Sequence, residues 1–100
     1  MNVHWTDTAE SHLDAIYNYI AQDFPEYAKY MVDRLTRRSQ QIGKFPFSGR
    51  RVPEYDIDPI REVIEGSYRI VYYIKPDRID VLAVLHGAMN VIPTPEQEKK

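Results

Sequence analysis

The sequence predicts an α+β domain in which two helices pack on an antiparallel sheet. Two amphipathic stripes fill the N-terminal half. Ala9, Leu13, Ile16, Tyr17 and Ile20, and then Ala28, Met31, Val32, Leu35 and Ile42, recur at the spacing of one helix face. Three β-branched and aromatic runs, "REVIE", "YRIVYYI" and "IDVLAVLH", fill residues 61–86. Only Gly66-Ser67 and the Pro76-Asp77 region separate them, so they read as a meander of hairpins.

Each element can be justified in chain order. "NVHW" alternates polar and apolar residues and suits a short first strand. Thr6 or Asp7 can cap the first helix, with Glu10 three residues after Asp7. "DFPEY" breaks that helix and places Pro25 in the first turn of the next. Gly43 reads as the C-terminal stop of the second helix. The short connection implies an antiparallel helical hairpin. "KFPFSGRRVPEYDIDP" holds three prolines and one glycine, and reads as a structured loop between helices and sheet. Thr94 and Pro95 suit one helical turn in the tail. No repeat or linker divides the chain, so residues 1–100 are expected to form one domain.

Composition narrows the function. The chain is 43% apolar with a net charge of −2, and it has no cysteine. Disulfides and thiolate chemistry are therefore excluded. No apolar run is long enough to cross a membrane, and the N-terminus lacks a signal-peptide pattern, so the expected setting is cytoplasmic, without membrane contact. His4, His12 and His86 lie far apart without metal-ligand spacing, so no metal is expected. No glycine-rich phosphate loop or serine elbow is present, and no cofactor is expected. From Arg34 to Arg51 there are six basic residues and no acid. This segment suits an acidic protein or a nucleic acid. More simply, Arg34, Arg37 and Arg38 would sit in the last turns of a helix, where the dipole favours cations.

The meander assigns side chains to faces. If Lys75 pairs with Arg78, then Ile70, Tyr72, Ile74, Ile79, Val81, Ala83 and Leu85 face the helices. Arg69, Val71, Tyr73, Asp80, Leu82, Val84 and His86 then share the opposite, open face. On this register Arg69 and His86 lie together. A two-residue first turn puts Arg61 on the helix side, and a three-residue turn puts it beside Arg69.

This order of elements resembles the RelE/ParE superfamily of toxins from bacterial type II toxin–antitoxin systems. The resemblance runs from Trp5 to His86. It rests on Trp5, Asp7, Ala9, Leu13, Ile16, Tyr19 and Ile20, on "P.SGR.VPE" (46–54), on "RE" (61–62), on "YRIVY" (68–72) and on "VLAVLHGA" (81–88). The resemblance implies a growth-inhibiting toxin of the plasmid-stabilization kind, encoded beside a small antitoxin. The antitoxin would wrap an acidic or amphipathic C-terminal segment over the toxin. For that contact or for the target, the sequence offers Arg50, Arg51, Arg61, Arg69, Val71, Leu82 and Val84, the last three as exposed apolar residues on the open face.

The superfamily holds two chemistries, and the fold does not decide between them. One branch resembles RelE and YoeB, which cut messenger RNA on the ribosome. The other resembles ParE, which poisons DNA gyrase without hydrolytic chemistry. For a YoeB-like nuclease, the matching positions are Glu54 as base, Arg69 as phosphate clamp and His86 as acid or orienter. The structural alternatives are a Glu54 paired with Arg50 or Arg51, an Arg69 paired across strands with a carboxylate such as Glu62, and a His86 bonded to backbone. Met89 stands where many members have arginine, and Gly87 where a YoeB-like enzyme has tyrosine. A net acidic chain also suits ribosomal RNA poorly. The residues therefore favour the gyrase poison over the ribosome-dependent endoribonuclease. A degenerate toxin that only binds antitoxin is the third reading.

Overall fold

The computed structural model describes residues 1–87, and the expected turn at Thr94-Pro95 and the Met89 position lie outside them. Strand β1 (Asn2–Trp5) leads into helix α1 (Asp7–Ala21) and, after three residues, helix α2 (Pro25–Lys44). A 3-10 turn (Pro46–Ser48), a two-residue strand β2 (Arg50–Arg51), and the strands β3 (Ile60–Glu65), β4 (Tyr68–Ile74) and β5 (Arg78–His86) follow. The sheet order is β1-β5-β4-β3-β2. The β2-β3-β4-β5 pairings are antiparallel, whereas β1 lies parallel to β5, Asn2 opposite Arg78 and Trp5 opposite Val81.

Local chemistry accounts for the helix ends. Thr6 caps α1: its hydroxyl accepts the Ala9 N–H at 3.2 Å and donates to the Val81 carbonyl at 2.8 Å. One side chain thus both starts the helix and fastens it to β5. Pro25 opens α2, where its missing N–H costs nothing. Gly43 does not stop that helix, which continues to Lys44. It is a packing residue instead: a Cβ there would lie 2.6 Å from the Met1 carbonyl oxygen. Because α2 runs on, Arg34, Arg37 and Arg38 stand before its last turn and are not dipole caps.

The predicted meander is present, with the Lys75–Arg78 closure (Lys75 N–H to Arg78 carbonyl, 2.9 Å). The first turn has two residues, Gly66 and Ser67, between the paired Glu65 and Tyr68, and Gly66 takes a φ of 60° that favours glycine. Arg61 therefore lies opposite Tyr72, on the helix side. The loop over 45–59 contains the 3-10 turn and β2, which is too short for alternation to reveal. Tyr72 anchors this segment. Its buried hydroxyl donates to the Pro46 carbonyl at 2.6 Å and accepts the Gly49 N–H at 3.1 Å.

One register expectation fails. Tyr72 pairs with Val81 but Val71 pairs with Ala83, so Leu82 is an extra residue in a β-bulge. Beyond the bulge the faces of β5 exchange. Val84, opposite Ile70, joins the core under the helices with Leu35, Ile42, Tyr72, Ile79 and Val81. Ala83 and Leu85 turn to the other face, against Val52, Ile60 and Val71. That second face is not open, because Val52 and Tyr55 pack onto it.

Candidate functional site

The bulge separates two residues expected to act together. Arg69 stands opposite Leu85 on the outer face, while His86 stands opposite Tyr68, on the helix side. His86 is exposed, and its ring meets the Tyr68 ring edge-on at 5.7 Å between centroids. It lies at one end of a groove of about 460 Å³ between α1 and the upper part of β5, lined also by His12, Ile16, Tyr19 and Val84. His12 Nδ1 accepts the Val84 N–H at 3.2 Å, and burial pushes the His12 pKa down.

Arg69 is buried and held by carboxylates. Its guanidinium donates to Glu62 Oε1 at 2.8 Å and to Glu54 Oε2 at 3.0 Å. Glu62, fully buried on β3, also accepts from Arg50 Nε at 2.6 Å. An alternating chain results: Arg50, Glu62, Arg69, Glu54. Its members come from β2, β3, β4 and the loop, so it bolts the loop to the sheet. Hydrogen bonds from Arg69 hold the Glu54 carboxyl below its ordinary pKa. A carboxylate so stabilised is a weak proton acceptor. Of the structural alternatives, the Arg69–Glu62 pair across strands is present. Glu54 pairs with Arg69, not with Arg50 or Arg51, and Arg51 pairs with Asp56 at 3.3 Å.

The proposed contact residues are differently placed from what the open-face reading expects. Val71 and Val84 are buried, one beneath the 52–55 segment and the other beneath the helices, because the chain covers its own outer face and the bulge turns Val84 inward. Leu82 is half-buried at the bulge. Arg61 is a loop staple: it donates to the Gly49 carbonyl at 2.9 Å and to Asp58 Oδ1 at 2.7 Å, and it stacks on Phe47 at 4.9 Å. Arg50 and Arg51 keep exposed side chains.

Composition alone did not reveal an aromatic and basic stripe along α2. Tyr27, Tyr30, Arg34, Arg37, Arg38 and Gln41 recur at helical spacing on one flank of α2, where the half-exposed Arg34 and Arg38 reach Glu65 on β3. That 3–4 spacing was the available signal. Among the described residues, no cluster of three His, Cys, Asp or Glu side chains is arranged to hold a metal.

Comparison with known proteins gives a consistent family. The model of the ParE toxin of type II toxin–antitoxin systems, parDE, matches residues 3–91. No curated protein sequence matches the chain. Among solved structures, the fold is similar to that of the chromosomal ParDE toxin–antitoxin system from P. aeruginosa, with a TM-score of 0.74 and 22% identity over 86% of this chain and 95% of that one. A YoeB/ParE toxin from Agrobacterium tumefaciens gives 0.59 and 17% identity over 86% and 98%. The toxin–antitoxin complex RelBE2 from Mycobacterium tuberculosis gives 0.56 and 18% identity over 85% and 95%.

Proposed function

The chain belongs to the ParE toxin family of type II toxin–antitoxin systems, and on that premise we propose that it inhibits growth by binding its target, DNA gyrase, and cuts no RNA. A cognate antitoxin neutralises it in the cytoplasm. One observation carries this reading: the acid of a nuclease lies apart from the base and clamp, which are locked to each other. Arg69 already spends its donors on Glu62 and Glu54, and His86 lies on the other face of the sheet. A phosphate clamp needs donors free to meet the crowded phosphorus as its charge develops. Moving Arg69 to a phosphate would leave the buried Glu62 carboxylate with Arg50 in place of two cations, which is costly.

The test is expression without antitoxin, followed by assays for DNA breaks and for intact messenger RNA. DNA breaks with intact messenger RNA are expected. Glu54→Ala and His86→Ala, each confirmed to fold, should keep their toxicity. The contrary result is ribosome-dependent cleavage that falls about 10²–10⁴-fold in each variant, the usual contribution of a proton-transferring group. It would replace gyrase poisoning with endoribonuclease action. A harmless chain would leave the antitoxin-binding module.

A further inference from the structure

The flank of α2 that borders Glu65 carries a stripe that the site above does not use. Tyr27 and Tyr30 are about half exposed, with ring centroids 5.9 Å apart. One turn on, the Arg34 guanidinium sits 5.8 Å from the Tyr30 centroid. Arg34, Arg37, Arg38 and Gln41 then border a shallow cavity of about 200 Å³ whose floor is Glu65. From Tyr27 to Gln41 the stripe is about 21 Å long at 1.5 Å per residue. Tyrosine and arginine together are the composition of strong protein contacts.

The charge is organised. Arg34 Nε donates to Glu65 at 2.8 Å, and Arg38 approaches the same carboxylate at 3.6 Å. One acid therefore holds two guanidiniums in place without neutralising both. Arg37 is 62% exposed, and its Asp33 contact, at 3.5 Å, is a surface pair of little strength. The stripe offers fixed cations between an aromatic end and a polar end. Fixed acids within the stripe argue against nucleic acid: Glu65 lies among its arginines and Asp33 beside Arg37, so an unbroken phosphate backbone would meet repulsion on a short basic patch, whereas spaced carboxylates can fall between them.

We infer that the Tyr27–Gln41 face of α2 docks an acidic amphipathic protein segment, its carboxylates on Arg37 and Arg38 and an apolar side chain on Tyr27 and Tyr30. The inference rests on the reading that an antitoxin neutralises this chain, and it assigns the acidic segment of that partner to this face.

The probe is the purified antitoxin encoded beside the chain, titrated against full-length protein at two salt concentrations. Arg37→Glu should weaken binding by about tenfold or more and flatten the salt dependence, since tenfold corresponds to the loss of one good contact. Tyr30→Ala should weaken it similarly without changing the salt slope. Lys29→Glu makes the same change in net charge on the same helix, off the stripe, and should leave affinity within about twofold of the parent. Circular dichroism confirms folding of each variant. Unchanged affinity in both Arg37→Glu and Tyr30→Ala would overturn the docking face and leave the antitoxin reading intact. Equal losses in Arg37→Glu and Lys29→Glu would reduce the effect to net charge and overturn it too. Displacement of the antitoxin by a short DNA duplex, lost in Arg37→Glu, would assign the stripe to nucleic acid instead. If the parent itself fails to bind the antitoxin, the functional reading falls, and this inference with it.

Discussion

The two faces of the sheet are held by different physics. Beneath the helices, Leu35, Ile42, Ile70, Tyr72, Ile79 and Val81 are fully buried and almost wholly apolar. Their cohesion is non-directional and grows with the area removed from water. On the outer face a smaller apolar group, Val52, Ile60, Val71, Ala83 and Leu85, lies beside the Arg50–Glu62–Arg69–Glu54 chain. There cohesion is directional, and each member depends on the next. The inner face tolerates a lost methylene in proportion to its size, whereas the outer face fails when one link is removed.

Glu62→Ala should therefore give the largest effect. It leaves Arg69 buried without its Glu62 partner, and the expected cost is about 3–5 kcal/mol in denaturant unfolding. Replacing Glu62 and Arg69 together by leucine and methionine should restore much of that loss, because an apolar pair of similar volume removes the uncompensated charge. If the single change costs no more than the double, the outer face is not a linked chain.

Next comes Leu35→Ala on the inner face, expected at about 2–5 kcal/mol for a fully buried leucine. Leu85→Ala, on the outer face at 7% exposure, should fall at or below the low end of that range. A Leu85 loss as large as that of Leu35 would mean that the outer apolar group is as deep a core as the inner.

The smallest effect separates the faces by pH. The folded state lowers the Glu54 pKa, chiefly through the Arg69 hydrogen bond. Its contribution is present above the ordinary carboxylate pKa of about 4.5 and is lost as pH falls through the folded value. Stability of the parent should decline as pH drops below about 4.5, and Glu54→Gln should flatten that part of the profile. Leu35→Ala should lower the profile without changing its slope. An unchanged slope in Glu54→Gln would remove Glu54 from the latch.

What the sequence made legible follows the same division. The helices, the three long strands, both hairpins and the inner apolar face follow from periodicity and turn chemistry, which are local. The bulge at Leu82 does not. "VLAVL" is apolar at every position, so either alignment buries apolar side chains, and no glycine or proline marks the extra residue. That one residue moved His86 away from Arg69 and turned Val84 inward. β2 escaped notice because two residues carry no period. Glu62 was legible as an Arg69 partner but not as the centre of the chain, because its second partner, Arg50, comes from that same short strand.

The ends of the sheet carry a consequence for the free protein's solubility. A strand with unpaired backbone groups is a template on which further copies can stack. Here the outermost strands are four residues (β1) and two residues (β2) long. Above β1, the Val84 N–H is taken by the His12 imidazole. Among the described residues, neither outermost strand offers a long, flat row of donors and acceptors. Short outer strands thus limit growth into fibres by edge-to-edge pairing.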